Sequence, residues 1–251
     1  MKIEKVIMSS DSNPLYLDFW PIVSKIWKEK FNIQPILFYI DDDHDIEINN
    51  DYGEVIKYKP IPGIPVYLQC LWIRYWSYVL YPNEVCMISD IDMIPLSEEY
   101  FINQLKDINN EIYVHINPCY KTYGTLPSCY HICKGKLFKE ILNLPLEWED
   151  SIKDLFSRNL GVIPGNNQKN MSHWFADERY SSYCIFNYKH QNENNVLFIN
   201  RNGGQNGRRI DRSDWTYDVE LCKSGYYYDS HSIRPYSQYK NKIDDLIKLI
   251  L

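Results

Sequence analysis

The 251-residue sequence lacks the features of several protein classes. No run of about 18 apolar residues is present, so we predict no membrane span. The N-terminal apolar run is short and contains Glu4, which argues against a secretory signal peptide and predicts a cytoplasmic protein. A basic excess is also missing. Lys and Arg number 27 against 33 Asp and Glu, and the net charge of −6 argues against general nucleic-acid binding.

Cysteines with the spacing of a metal site or a disulfide framework are missing too. The seven cysteines are an odd number without a secretory signal, so we expect reduced thiols. Cys129 and Cys133 are separated by three residues and no second pair follows, so strand thiols are a better interpretation than zinc. The residues that a zinc site would draw on are His115, Cys119, Cys129, His131 and Cys133.

Apolar runs alternate with segments of helical spacing along the chain, which predicts an α/β fold. Hydrophobic residues at 45% and charged residues at 24% are typical of a globular protein, and the length fits one compact domain. The predicted strands are 2–8, 36–40, 55–58, 85–88, 111–116 and 196–199. The predicted helices are 15–30 (interrupted at Pro21), 66–81, 97–108, 136–142, 150–160, one that starts near Asp177 and runs through Phe186, and the amphipathic tail 242–251.

The segment with the clearest chemistry follows the apolar run from Val85 to Ile88. Asp90 and Asp92 sit two apart, so on an extended backbone their carboxylates project from the same side. The carboxyl end of a buried parallel strand is where open α/β sheets bind ligands. Two close carboxylates favour a hard divalent cation such as Mg²⁺ or Mn²⁺, which typically also binds substrate phosphates. A lone Asp-x-Asp also occurs by chance, and such residues often only cap a helix.

Two further candidates precede this motif. The loop after the first strand contains Ser9 and Asp11, which in an open α/β sheet would face a nucleotide and bond its base or ribose. The alternative is a helix N-cap formed by Asp11 or Ser12. Arg74 lies within an apolar, aromatic helix, where it either snorkels to the surface or reaches the ligand or the aspartate pair. We favour the second interpretation of Arg74.

The second half of the chain adds an acidic pair and a basic region. Asp177 and Glu178 fall at the start of a helix, either as dipole compensation or as a catalytic base beside Trp174. Residues 201–212 carry four Arg and three Gly, a composition that suits either phosphate binding or a solvated loop. Further on, His231 is able to complete a carboxylate metal site and Arg234 to pair with a phosphate.

In this order the features resemble those of the GT-A glycosyltransferases. The matching elements are the polar exit of the first strand, the Asp90-Ile91-Asp92 signature, the Asp177-Glu178 pair and the late His231. The motif Ser-Asp-Ile-Asp-Met-Ile-Pro at residues 89–95 also resembles the corresponding motif in small GT-A domains of large DNA viruses, of the chlorella-virus rhamnosyltransferase type. The resemblance implies a Rossmann-like, mixed and mostly parallel sheet flanked by helices.

The resemblance also implies a UDP-sugar donor whose two phosphates are bridged by Mn²⁺ or Mg²⁺. By position, Asp92 is then the main carboxylate ligand, Asp90 bonds ribose or assists the metal, and His231 is another ligand. Arg234 and Arg212 neutralise the departing diphosphate.

The identity of the base and the stereochemistry stay open. In an inverting enzyme Asp177 or Glu178 takes the proton of the acceptor hydroxyl, and Asp177 is our first choice. Inverting families often have Glu-Asp where this chain has Asp-Glu, and the His-x-x-Arg-Pro segment also resembles retaining, glycogenin-like enzymes. The alternatives are a sugar-phosphate nucleotidyltransferase, which the lack of Gly in 9–14 disfavours, and an inactive carbohydrate-binding module.

The resemblance divides the single domain by role. Residues 1–95 form the nucleotide-binding half, 96–240 the acceptor half with the late metal- and phosphate-binding segment, and 241–251 the C-terminal helix. The expected partners are a UDP-sugar donor and a glycan or glycoprotein acceptor, in a host cytoplasm if the source is viral.

Overall fold

Seven strands form the central sheet of the computed structural model, which describes residues 1–43, 45–116, 125–160, 173–200 and 208–251. The sheet order is β3-β2-β1-β4-β7-β6-β8, and a small second sheet has the order β5-β10-β9. In chain order the strands are β1 Lys5–Ser10, β2 Gln34–Ile40, β3 Glu54–Tyr58, β4 Val85–Ile88, β5 Met93–Pro95, β6 Tyr113–Ile116, β7 His131–Lys134, β8 Val196–Ile199, β9 Arg209–Ile210 and β10 Asp229–His231.

Helices cover both faces of the central sheet. In chain order the α-helices of the described ranges are α1 Pro14–Leu17, α2 Trp20–Glu29, α3 Val66–Trp76, α4 Glu98–Phe101, α5 Gly135–Leu142, α6 Trp148–Ser157, α7 Ala176–Gln191, α8 Val219–Lys223 and α9 Tyr236–Lys248. Short 3₁₀ turns occupy Ser77–Leu80, Asn103–Leu105 and Glu193–Asn195. Among these helices none combines the length and apolar character that crossing a bilayer requires.

Alternate side chains of the strands pack into two separate hydrophobic cores, one on each face of the central sheet. Val6 and Met8 of β1 pack with α2 on one face, whereas Ile7 packs with α3 on the other. β1 is parallel to both of its neighbours, β2 and β4, and among the described strands of the central sheet only β7 runs antiparallel to its neighbours, β4 and β6. Strands buried on both faces read as continuous apolar runs, which is why the sequence reveals them. The predicted α/β class, with a mostly parallel sheet flanked by helices, is confirmed.

The small sheet brings the late segment of the chain to the carboxylate motif. β5 begins one residue after Asp92 and pairs antiparallel with β10, so that Met93 lies opposite His231. The Ser232 amide donates to the Asp92 carbonyl at 3.0 Å, which continues this pairing. β9 runs parallel to β10, with Ile210 opposite Ser230. Backbone register therefore places the segments that follow β9 and end β10 beside Asp92.

Several predicted boundaries are wrong for local reasons. The helix predicted for 97–108 is only α4 and a 3₁₀ turn, and Ile102, which caps α4, has φ −119°, far from the roughly −63° of a regular helix. The helix predicted to reach Tyr81 ends at Trp76, and the Ser77 hydroxyl donates to the Arg74 carbonyl at 2.9 Å where the 3₁₀ turn begins. The interruption predicted at Pro21 falls instead at Asp18 and Phe19, between α1 and α2, and Pro21 lies in the first turn of α2, where its missing N–H costs nothing.

Candidate active site

The strand order reverses between β1 and β4, and this is where the polar strand exits meet. From β1 the chain crosses through α1 and α2 to β2 on one side, and from β3 it returns through α3 to β4 on the other. Open α/β sheets bind ligands in the crevice that such a reversal creates beyond the carboxyl ends of the strands. Ser9 ends β1 together with Ser10, and Asp90 and Asp92 follow β4, so both exits open into one crevice.

A cavity of about 470 Å³ fills this crevice. All ten residues that the sequence singled out as candidates line it, although the roles predicted for them stay predictions. They are Ser9, Asp11, Arg74, Asp90, Asp92, Asp177, Glu178, Arg212, His231 and Arg234. The Gly- and Arg-rich segment 201–212 is only partly described, since 201–207 lie outside the described residues. Cys119, one of the residues considered for a zinc site, also lies outside them.

Arg74 connects the first aspartate of the motif to the acidic pair. Its side chain is 4% exposed, and its Nη1 donates to Asp90 Oδ1 in a close ion pair. Its Nη2 lies 3.8 Å from Asp177 Oδ2. Burial tends to raise the pKa of Asp90, but the charge and hydrogen bond of Arg74 outweigh it and hold that pKa below its usual value. Arg74 therefore reaches the aspartates, as the sequence interpretation favoured, and does not snorkel.

Asp92 faces a different set of partners from Asp90. Its Oδ2 lies 3.3 Å from Arg212 Nη1, 3.5 Å from Arg234 Nη1 and 3.8 Å from His231 Nε2. The chain does not continue as an extended strand between the two aspartates but turns, and the Met93 amide donates to the Asp90 carbonyl at 3.1 Å. The prediction of an extended backbone between the two aspartates is therefore wrong. Both carboxylates line the cavity, but they have different partners, Arg74 for Asp90 and the Arg212, Arg234 and His231 group for Asp92.

The donor set around Asp92 fits a divalent cation held jointly with a substrate. Within the described residues no three ligand side chains are already assembled, and the Asp90 carboxylate is engaged by Arg74. Asp92 and His231 are near enough to share one ion, and Asp211 Oδ2 lies 3.5 Å from His231 Nδ1. The Arg212 Nε–H donates to the same Nδ1 at 3.3 Å, so Nε2 is free to coordinate an ion only once Arg212 gives way and Nδ1 turns its proton to the Asp211 carboxylate. Mg²⁺-type sites commonly take one or two protein ligands and complete their shell with phosphate oxygens and water.

Asp177 and Glu178 are held together by one serine. The Ser128 hydroxyl donates to Asp177 Oδ2 at 3.1 Å, and the Ser128 amide donates to Glu178 Oε1 at 3.3 Å. Burial raises the pKa of Asp177, and Arg74 opposes part of that rise. Burial and then the Asp177 charge raise the pKa of Glu178 to about 8. Both carboxyl groups are therefore harder to ionise than usual, and the Arg74 guanidinium opposes this effect more strongly at Asp177, which it contacts, than at Glu178.

The helix N-cap that the sequence predicted after β1 is present but is formed by a different residue. Asn13, not Asp11 or Ser12, caps α1, and its side chain accepts from the Leu15 amide at 3.0 Å. Asp11 Oδ1 accepts from the Asn13 amide at 3.1 Å. The Ser9 hydroxyl donates to the Cys70 carbonyl at 2.5 Å. Both side chains line the cavity wall, as expected for residues that would face a nucleotide.

Aromatic side chains form a second wall that the sequence revealed only in part. Trp174, proposed from the sequence as an aromatic wall, packs against Tyr67 with ring centroids 5.8 Å apart. Tyr16 lies under the Arg234 guanidinium at 4.7 Å, and its ring also lines the cavity. Tyr67 and Tyr16 were missed because a tyrosine on a helix gives no signal distinct from core packing. Ser128 was missed because it lies in a loop that carries no motif.

Comparison with known proteins supports the architecture. No protein-family model matches the sequence, and no protein of curated function matches it. Among solved structures, the apo-form glycosyltransferase GlyE of Streptococcus pneumoniae TIGR4 has a TM-score of 0.52 at 10% identity, and the match covers 100% of this chain and 62% of the GlyE chain. The galactosyltransferase LgtC in complex with donor and acceptor sugar analogs has a TM-score of 0.47 at 10% identity, covering 98% and 96% of the two chains.

The likeness to GlyE concerns the fold. This chain spans less than two thirds of GlyE, and at such low identity the likeness shows shared architecture alone. The mixed α/β domain, with its seven-stranded and mostly parallel sheet, is the GT-A type that the sequence resemblance implied.

Proposed function

We propose that this chain is a glycosyltransferase that moves a sugar from a UDP-sugar donor to a hydroxyl group of a glycan or other acceptor. One observation carries the proposal. A single cavity at the strand-order reversal combines a cluster of two arginines and a histidine around Asp92 with a buried carboxyl pair at Asp177 and Glu178. The first group suits a diphosphate and the second suits proton removal from an acceptor. The glycosyltransferase GlyE, which shares the fold, adds support.

The diphosphate of the donor would bind where Asp92 now neutralises two guanidinium groups. Arg212 and Arg234 are 28% and 25% exposed, so both are accessible from the cavity. Phosphate oxygens accept hydrogen bonds from guanidinium groups in the same bidentate way as a carboxylate. An incoming diphosphate would therefore compete with Asp92 for the arginines and release its carboxylate for a cation.

Asp92 and His231 would hold Mn²⁺ or Mg²⁺ together with the donor phosphates. When bound, such an ion supplies Lewis-acid stabilisation of the departing UDP. Burial lowers the pKa of His231, although Asp92 opposes this effect, so the imidazole is neutral near pH 7 and able to coordinate. The two arginines then balance the charge that develops on the leaving group.

Asp177 would take the proton of the acceptor hydroxyl as that oxygen attacks the anomeric carbon. It is 1% exposed, its Oδ1 has no hydrogen-bond partner among the described residues, and Arg74 favours its ionised form. Glu178, whose pKa burial and the Asp177 charge raise to about 8, would remain protonated beside it. This division of roles supports inverting transfer with Asp177 as the base. The aromatic wall of Tyr67 and Trp174 offers the flat apolar surface on which sugar rings stack.

The experiment is a thermal-shift screen of nucleotide sugars with Mn²⁺, followed by turnover of the best donor in wild type and in Asp177→Asn. Because the substitution removes the base but no diphosphate contact, we expect UDP affinity within about twofold of wild type and a loss of turnover of about 100-fold or more. Asp154→Asn is the matched control, since Asp154 is also paired with an arginine but lies on the surface, and its turnover should equal wild type.

Three results would change the proposal. If wild type binds a nucleotide sugar but never turns it over, a carbohydrate-binding module without catalysis becomes the better description. If Asp177→Asn keeps full activity, the base is Glu178 or the mechanism is retaining. Release of pyrophosphate from a nucleoside triphosphate and a sugar phosphate would instead identify a nucleotidyltransferase.

A further inference from the structure

A line of buried hydrogen bonds runs from Asp177 into the core beneath the cavity. Ser128 Oγ lies 3.1 Å from Asp177 Oδ2 and 3.3 Å from the Tyr75 hydroxyl. The Tyr75 hydroxyl lies 3.3 Å from His131 Nε2, and His131 Nδ1 lies 2.5 Å from the Tyr113 hydroxyl. Ser128 is 6% exposed and the three aromatic residues are not exposed at all. Polar groups so far from water are costly unless they satisfy one another.

When Asp177 is ionised, as its proposed role as a base requires, the chemistry of these groups gives every bond in the line one consistent direction. An ionised Asp177 only accepts, so the single Ser128 hydroxyl proton points to it and Ser128 must accept from Tyr75. Tyr75, having donated, accepts from the Nε2–H of His131. Burial lowers the pKa of His131 well below its usual value, with His115 and Arg74 adding to the effect, so the ring is neutral and its Nδ1 accepts from Tyr113. All four protons therefore point toward the carboxylate.

We propose that Ser128 and Tyr75 are positioning residues that orient the Asp177 carboxylate and favour its ionised form. The inference rests on the proposed role of Asp177 as the base. Ser128 fixes Oδ2, whereas Oδ1 is buried and has no partner among the described residues, so its hydrogen-bonding capacity is the one left for an acceptor hydroxyl. Tyr75 holds the Ser128 hydroxyl in the orientation that this requires. The other charged groups acting on Asp177 are Arg74, Asp90 and Glu178.

The line holds a proton acceptor in place but does not conduct protons to solvent. It ends at Tyr113, which is fully buried and stacks on Phe138 with ring centroids 6.0 Å apart. Moving a proton inward from Asp177 would reverse every bond and leave the Tyr113 hydroxyl in need of an acceptor. No such acceptor is found for it in the described part of the chain. The proton taken from an acceptor therefore leaves through the cavity.

The test compares Ser128→Ala and Tyr75→Phe with wild type. Ser128→Ala removes the hydroxyl but keeps the backbone amide that bonds Glu178, so it isolates the effect on Asp177. We expect kcat to fall about tenfold, as for loss of a hydrogen bond to a charged group, with UDP affinity within about twofold of wild type. The acid limb of the pH–rate profile should move to higher pH, because a carboxylate that loses a donor becomes harder to ionise. Tyr75→Phe should shift it in the same direction.

Tyr78→Phe is the matched control. It removes an equally buried hydroxyl whose single proton is shared between the backbone carbonyls of Cys86 and His131, at 2.9 Å each, and which bonds none of the side chains of the line. Tyr78→Phe should lower the free energy of unfolding without shifting the acid limb of the pH–rate profile. A Ser128→Ala enzyme with wild-type kcat and an unmoved acid limb would overturn the inference, as would Tyr78→Phe moving the limb equally.

A second measurement does not depend on turnover. The carboxyl carbon of Asp177, assigned by its absence in Asp177→Asn, is titrated by ¹³C NMR in wild type and Ser128→Ala. We expect its midpoint to rise by about half a pH unit or more in the variant. An unchanged midpoint would contradict the inference. If no nucleotide sugar is bound or turned over by wild type, the proposed function fails, whereas this titration still decides whether Ser128 governs the Asp177 carboxylate.

Discussion

Asp92→Asn is expected to abolish donor turnover while leaving UDP affinity in EDTA equal to or tighter than that of wild type. The carboxylate has two roles that oppose each other: it neutralises Arg212 and Arg234, and it would hold the divalent ion. Removing its charge frees both arginines for the diphosphate but eliminates a metal ligand. We expect turnover to fall about 1,000-fold and the gain in UDP affinity on adding Mn²⁺ to disappear.

Calorimetric titration of UDP, in EDTA and in Mn²⁺, together with an assay of donor turnover, measures both effects. Asp244→Asn removes the same charge from a surface pair with Lys240 and serves as the control. If UDP binds Asp92→Asn much more weakly even in EDTA, the carboxylate has a different role, since loss of a competitor should not weaken binding to arginines. Melting temperatures of the two variants check that neither result comes from unfolding.

Arg74→Ala is expected to lower the free energy of unfolding by about 3 kcal/mol, the lower end of the cost of breaking a buried ion pair. The guanidinium is 4% exposed and serves Asp177, which is 1% exposed, and Asp90, which is 40% exposed. Its loss leaves a carboxylate buried without a cation. The lower figure is appropriate because water partly compensates Asp90.

The Arg74 contribution has a defined pH dependence. Arg74 lowers the folded-state pKa of Asp90, so this stabilisation is present above the unfolded pKa and is lost as pH falls through the folded value. The difference in unfolding free energy between wild type and Arg74→Ala should therefore narrow below about pH 4. Urea unfolding at pH 7 and pH 3.5 measures it.

Arg158→Ala is the matched control for Arg74→Ala. Arg158 pairs with Asp154 at 2.9 Å but is 41% exposed, so its removal should cost less than about 1 kcal/mol. Equal losses in the two variants would mean that burial of the Arg74 pairs contributes little to stability.

The sequence predicted where the site lies because the site is built at strand exits. Buried parallel strands are legible as apolar runs, and the polar residues after β1 and β4 follow directly from them. The sequence also predicted His231 as a candidate metal ligand, but its position beside Asp92 depends on the pairing of β5 with β10. Strands of three residues give no usable periodicity, so that pairing was not predictable.

Individual partners could not be predicted for a related reason. Asp90 and Asp92 contact different side chains because the backbone turns between them. An extended backbone would have directed both carboxylates to the same side. Ser128 and Asp177 lie 49 residues apart and meet only because the loop before β7 packs on the start of α7. A hydroxyl in a polar loop has no sequence signature until its acceptor is known.

The most direct test of the central claim is calorimetric titration of the wild-type protein with UDP, in Mn²⁺ and in EDTA, with uridine as the comparison ligand. If Asp92 and His231 hold an ion against the diphosphate, UDP should bind at least about tenfold more tightly in Mn²⁺ than in EDTA. Uridine, which lacks phosphates, should show no difference between the two buffers. Equal UDP affinity in both buffers would contradict a metal-bridged donor site.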